Sequence, residues 1–215
     1  MDLLIENKLL EYKTHIIDYA TLKSILTSLG YVNINDKIAN LKRKNIIQPI
    51  KKGFYIHNSQ VTKTIISKEL LSNILLDNPS YISLDYALNF HGLIPESTHE
   101  VTAVTPKRSK SFKTSVGVFS YKHIKKELFS IGIKIERSRN ANFLIAGKEK
   151  ALCDKIYLTS GVQLTSSAAM IDFLENDIRI DIEDLEDFDT NILEEYYKIS
   201  KSKKIQILLN LIKEL

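Results

Sequence analysis

The feature that most constrains this 215-residue chain lies in its first 60 residues. There the apolar side chains change from a helical to an extended repeat at a run of cations. Leu3, Leu4, Leu9 and Leu10 indicate a first helix. A second spans about Tyr19 to Leu29, with Leu22, Ile25, Leu26 and Leu29 at i, i+3, i+4 and i+7 before Gly30, a residue suited to ending a helix. A third follows the N-cap candidates Asn33 or Asn35 and places Ile34, Ile38 and Leu41 on one stripe, turning Asp36, Lys37, Asn40, Arg43 and Lys44 elsewhere. Two short β-prone runs, Ile46 to Ile50 and Phe54 to His57, are joined by Lys51, Lys52 and Gly53, with glycine where a tight turn favours positive φ. Helix, turn, helix and then hairpin is the order of a winged helix-turn-helix, whose last helix enters the major groove and whose wing meets the backbone or minor groove. Between Asn33 and Lys52 there are six cations and one acid. The expected contacts to double-stranded DNA are therefore Asn35, Lys37, Asn40, Arg43 and Lys44 in the groove, with Lys51 and Lys52 supporting from the wing.

Total charge says less than its position. The chain has 25 Lys against 5 Arg beside abundant Ile and Asn, a signature of AT-rich coding DNA, so its net +4 does not by itself indicate a nucleic-acid partner. By segment, residues 1–60 carry 9 basic and 5 acidic side chains, 61–165 carry 15 and 9, and 166–215 carry 6 and 12. This polarity accompanies an expected division into a DNA-binding domain at 1–60, a connecting helix or linker at 61–80 and a second domain at 81–215. The linker helix carries Ile66, Leu70, Ile74 and Leu75 on one side and ends at Asn78 and Pro79. The second domain opens on a helix capped by Ser83 that buries Leu84, Ala87, Leu88 and His91 and stops at Gly92. It continues through strands at Glu100 to Thr105, Ser115 to Tyr121, Ile131 to Arg137 and Asn142 to Ala146, the last two turning at Asn140. A helix from Lys148 to Leu158 begins an all-helical remainder, in which Ile205, Leu208, Leu209 and Ile212 form an amphipathic stripe. The fold class expected is α+β with helices gathered towards the end.

Four segments, LKRKNIIQPIKKGFYI in the basic N-terminal region, YISLDYALNFHGLIPE at 81–96, VTAVTPKRSKSFKTSVGVFSY at 101–121 and FLIAGKEKALCDKIYL at 143–158, make the chain resemble the AbiEi-like antitoxins and transcriptional regulators of abortive-infection, type IV toxin–antitoxin systems. The resemblance implies an N-terminal winged helix that represses its own operon at an inverted-repeat operator. It also implies a mixed α/β antitoxin domain with a helical C-terminal part, antagonising a nucleotidyltransferase toxin without a stable complex. The recognition region is rich in Lys where relatives commonly carry Arg, which favours backbone contact over bidentate reading of guanine.

The remaining motifs favour bland readings. His91 sits on an apolar stripe beside a helix-ending glycine, which suits packing or capping, and Glu149 with Lys150 opens a helix where an acid favours the dipole. No phosphate loop, GxSxG elbow or carboxylate cluster is present, so no enzyme is expected. A lone Cys153 and five scattered histidines supply no zinc spacing, and no metal or cofactor is expected. No apolar run reaches the ~18 residues that cross a bilayer, and the opening MDLLIENK puts two acids where a signal peptide needs cations, so the expectation is cytoplasmic with no membrane partner. Lys107, Arg108, Lys110 and Lys113 bracket an expected loop and form the candidate antitoxin surface, joined by Lys122, Lys125, Lys126, Lys134, Arg137 and Arg139. The acidic stretch from Asp172 to Asp189 is read as a solvated face, or as a dock for these cations or for another copy's wing. The alternative function is a winged-helix regulator whose second domain senses a small ligand.

Overall fold

A computed structural model describes residues 2–58, 66–76, 79–138 and 141–215. The N-terminal region runs α1 (Asp2–Leu10), β1 (Ile16–Asp18), α2 (Tyr19–Ser28), α3 (Ile34–Arg43), β2 (Ile47–Lys51) and β3 (Phe54–His57). Asp18 starts α2 by accepting the Thr21 N–H at 2.9 Å and the Thr21 hydroxyl at 2.8 Å, satisfying a donor the first turn leaves unpaired. Gly30, at φ +85°, ends α2, and Gly53, at φ +83°, turns the hairpin. Asn33 precedes α3 but makes no side-chain cap. β1, too short to signal itself, pairs antiparallel with β3, so the hairpin becomes a three-stranded sheet of order β1-β3-β2. Ile5, Leu9, Ile17, Leu22, Leu26, Ile38, Leu41 and Ile47 form a core inside this region. Because successive strand residues face opposite sides, Ile16 points the other way from Ile17 and joins a second, larger core, against which Ile50 and Phe54 also pack.

The second region contains α4 (Lys68–Leu75), β4 (Tyr81–Ile82), α5 (Leu84–Phe90), β5 (Glu100–Thr105), β6 (Lys110–Lys113), β7 (Val118–His123), α6 (Lys126–Phe129), β8 (Ile133–Ser138) and β9 (Ala141–Ala146). It continues with α7 (Lys148–Leu158), α8 (Ser167–Asp172), a π-helical turn at Phe173–Asp177, a 3-10 turn at Ile182–Leu185, α9 (Thr190–Ser200) and α10 (Lys203–Glu214). The strands form one mixed sheet of order β6-β7-β5-β4-β9-β8, with β5–β7 and β4–β9 parallel and the other neighbours antiparallel. Helices cover both faces. The Tyr121 hydroxyl donates to the Ser72 carbonyl of α4 on one side at 2.6 Å, and the Tyr81 hydroxyl donates to Asp154 of α7 on the other at 2.9 Å. The architecture is α+β with a helical C-terminal part, and Ile205, Leu208, Leu209 and Ile212 are all buried.

The cations at 110–113 lie on a strand, β6, and not on a loop, because Phe112 between them packs edge-on against Tyr121. The strand expected at Ser115 to Tyr121 starts at Val118, since the Thr114 hydroxyl and N–H bind the Gly117 carbonyl and close a turn before it. Tyr81–Ile82 pairs between β5 and β9 although two residues carry no periodic signal. In α4 the fully covered residues are Leu71, Ser72 and Leu75, whereas Leu70 and Ile74 are partly buried. Ser83 precedes α5 but does not cap it; its hydroxyl is directed to Asp154 at 2.8 Å. The turn expected at Asn140, Arg139 beside it, the end of the expected DNA-binding domain, 59–60, and two parts of the expected linker, 61–65 and 77–78, the second holding the helix end expected at Asn78, lie outside the described residues.

Candidate nucleic-acid interface and the buried centre behind it

On α3 the expected contacts fall on two faces. Ile38 and Leu41 are buried, whereas Asn35, Asp36, Ala39, Lys42 and Arg43 are exposed, with Asp36, Ala39 and Arg43 opposite the buried pair and Asn35 and Lys42 flanking it. Lys42, left out of the expected set, therefore stands beside Arg43. Lys37 and Lys44 turn instead to the start of α1. Lys37 Nζ is 2.7 Å from Asp2 Oδ1 and 4.6 Å from the centre of the Tyr31 ring, and Lys44 pairs with the other Asp2 oxygen. The two ammonium groups hold the Asp2 carboxyl down at about 2. Asn35 accepts the Tyr19 hydroxyl at 3.0 Å, which fixes its side chain at the α2–α3 junction. Asn40 is half-buried, and its side-chain oxygen is buried without a hydrogen-bond partner.

The hairpin cations also divide. Lys52 is exposed at the tip. Lys51 folds back, donating to the Leu75 carbonyl at the C-terminal end of α4 at 2.9 Å and lying 4.9 Å from the centre of the Phe54 ring. The last turn of a helix presents unsatisfied carbonyls and partial negative charge, so this ammonium closes α4 as it ties the hairpin to the second region.

Lys107, Arg108, Lys110 and Lys113 are exposed on or next to β6, and Lys122, Lys125 and Lys126 are exposed on and after its neighbour β7. None of these seven forms an ion pair among the described residues. The turn before them is held by His123, whose N–H donates to Ser109 Oγ at 2.9 Å and whose Nδ1 is 2.9 Å from the Lys107 carbonyl. The start of the ridge is tied to the segment after α4: Thr105 Oγ1 donates to the Pro79 carbonyl, and the Lys107 N–H donates to Thr105 Oγ1. The acidic stretch makes no ion pair with it among the described residues; Arg179 pairs with Glu96 at 2.6 Å and Asp189 caps α9 through the Asn191 N–H.

The second region also holds a buried charge pair. Lys150 and Asp154, one turn apart on α7, are both fully buried with Nζ and Oδ1 2.8 Å apart. Lys150 also donates to the Leu128 carbonyl at 2.9 Å and faces the Tyr196 ring at 4.4 Å. Asp154 accepts hydroxyl hydrogens from Tyr196, Tyr81 and Ser83, at 2.9, 2.9 and 2.8 Å. One carboxylate thus joins α7, α9, β4 and the start of α5, where Leu84 adopts φ +61°, a strained conformation for a branched side chain. Burial pushes the Cys153 thiol up, as it does the Tyr81 and Tyr196 hydroxyls, so none of them is ready to ionise. Glu149 is not Lys150's partner; it turns to the Asp189 N–H at 3.4 Å. His91 ends α5 with Nε2 2.7 Å from the Ala146 carbonyl.

An open cleft of about 560 Å³ lies against the same scaffold, lined in part by Asp85, Glu96, Thr98, Glu100, Lys155 and Arg179. Lys155 pairs with Asp85 at 2.5 Å, and Thr98 Oγ1 is buried without a hydrogen-bond partner. Among the described residues no group of three His, Cys, Asp or Glu side chains is placed to hold a metal ion, and no helix is long and apolar enough to cross a membrane.

No family model and no curated protein matches the sequence. Among solved structures, the RV2827C protein from Mycobacterium tuberculosis is similar in fold, with a TM-score of 0.59 at 14% identity, covering 97% of this chain and 80% of that one. At that identity the likeness is one of architecture.

Proposed function

We propose that the chain is a DNA-binding antitoxin and autorepressor. In this reading the N-terminal region is a winged helix-turn-helix with α2 and α3 as the helix pair and β2–β3 as the wing, and the remainder antagonises a nucleotidyltransferase toxin encoded beside it. The observation that carries the DNA half is the open face of α3, where Asn35, Lys42 and Arg43 are exposed and the two cations have no ion-pair partner among the described residues. An exposed cation without an intramolecular counter-charge is available to displace counterions from phosphate, and a planar guanidinium can in addition read guanine. Lys37 and Lys44, held by Asp2, position α3 against α1; Lys52 reaches the backbone from the wing tip. The antitoxin half rests on the sequence resemblance, with Lys107, Arg108, Lys110 and Lys113 as its surface. Coexpression with the adjacent gene, scored for rescue of growth, tests that half. Binding of the full chain to DNA upstream of its own operon tests the other; absence of sequence-selective binding would remove the repressor role.

A ligand-sensing regulator is the second reading, favoured by the polar cleft between α5, α7 and the segment after the π-helical turn. It requires that a small molecule change DNA affinity, whereas the antitoxin reading does not.

A further inference from the structure

Two strands bound the six-stranded sheet, β6 and β8, and each presents backbone N–H and C=O groups on its outer side with no further strand paired there among the described residues. They differ in what a second strand would meet. β6, Lys110–Lys113, begins and ends in a cation and contains no acid, so pairing with its own copy brings lysines together. β8 reads Ile133, Lys134, Ile135, Glu136, Arg137, Ser138. Its central Ile135 is 73% exposed, and Leu144, its register partner on β9 and hence its neighbour on the same face, is 37% exposed. Lys134 and Glu136 flank Ile135 on the opposite face, and neither has an ion-pair partner among the described residues.

We propose that β8 is a self-association edge, on which a second copy of this chain pairs its own β8 antiparallel about a two-fold axis at Ile135. In that register Ile135 meets Ile135 and Lys134 meets Glu136 of the second copy. The two-fold repeats the Lys–Glu pair, so one short segment supplies two opposite-charge cross-strand pairs around an apolar centre. Its six residues span about 20 Å, an ordinary length for a paired strand. The pairing joins two sheets into one of twelve strands and covers the apolar side chain that a lone edge leaves in water. This inference does not depend on DNA binding, although a two-fold axis is what an inverted repeat requires of its reader.

The test is sedimentation of the full chain without nucleic acid across a concentration series, with circular dichroism of each variant. The wild type is expected to dimerise reversibly. Lys134→Glu and Glu136→Lys each turn both charge pairs into like-charge pairs and should raise the dimer Kd at least about tenfold. The double exchange, and an equimolar mixture of the two single variants, regain opposite charges and should recover association. Ile135→Lys should be monomeric with an unchanged spectrum, since its side chain is exposed in the single chain. A wild type that stays monomeric up to several hundred micromolar overturns the proposal. So does a dimer indifferent to Ile135→Lys, or single-variant losses that neither the exchange nor the mixture restores.

Discussion

Asp154 uses both oxygens twice, receiving Lys150 and Tyr196 on one and Tyr81 and Ser83 on the other. Its replacement leaves Lys150 charged and buried, and that is where the cost arises. Asp154→Asn is expected to destabilise the chain by about 3–5 kcal/mol, the range for breaking a buried pair, measured by urea unfolding; a loss under about 1 kcal/mol would mean that water reaches the site. His57 gives a separate handle. It is fully buried, and burial, assisted by the His15 ring, lowers its imidazole from 6.5 to about 4. The unfolded chain takes up a proton below about 6.5 while the folded chain resists until about 4, so this contribution to stability is complete above 6.5 and declines as pH falls towards 4. The urea midpoint should drop between pH 7 and pH 5, and His57→Gln should flatten that drop; an equal slope in the variant would assign it to other groups. Neither site is legible in the sequence. Lys150 and Asp154 stand at i, i+4 like any surface pair, and His57 closes a strand like any polar residue.

At the scale of elements, α3 separates binding from positioning. Replacing Lys42 and Arg43 together by Ala should flatten the slope of log affinity against log salt by up to ~2, since each phosphate contact contributes ~0.9, while leaving the unfolding midpoint nearly unchanged. Lys37→Met should do the reverse, altering stability through Asp2 with little effect on the slope. Fluorescence titration on operator DNA at several salt concentrations distinguishes them, and equal effects of the two changes on the slope would contradict the assignment. The helices are legible in part: α2 and α7 fall close to their expected ranges, and Ile38 and Leu41 of α3 and Ile205, Leu208, Leu209 and Ile212 of α10 are buried as their spacing implies, because a stripe at period 3.6 has one way to be buried. The same spacing shows which side of α3 is buried, but the Asp2 clamp joins residues 35 and 42 positions apart and has no local signature. Leu88 and Leu152 are fully buried on packed helices, and changing either to Ala should lower stability by ~2–5 kcal/mol without touching the basic surfaces.

For the whole molecule, the hairpin belongs to both regions. Ile16, Ile50 and Phe54 pack on the larger core and Lys51 closes α4, so an isolated 1–60 fragment would bare apolar side chains and lose a tie. Such a fragment should be less ordered by circular dichroism than the same residues in the full chain, and an equally stable, fully folded fragment would show the contacts to be incidental. Reversing the charges of Lys107, Arg108, Lys110 and Lys113 should leave folding nearly intact, at less than ~0.5 kcal/mol per exposed change, and abolish rescue from the toxin. A reversed variant that folds, accumulates and protects like the parent would remove this ridge from the antitoxin role.

The α+β class, the places of α2 and α7, the β5 strand and the unequal distribution of charge are all legible in the sequence. Each depends on periodicity or composition within a short window, which water and backbone sterics read locally. The rest follows from contacts between distant segments: that β1 and β4 are strands, that β6 and β8 are the edges, that Asp2 holds two cations of α3, and that one buried aspartate gathers four elements. A two-residue strand has too little side-chain alternation to declare itself. It exists because neighbours far along the chain offer hydrogen bonds to a backbone that would otherwise be buried without them.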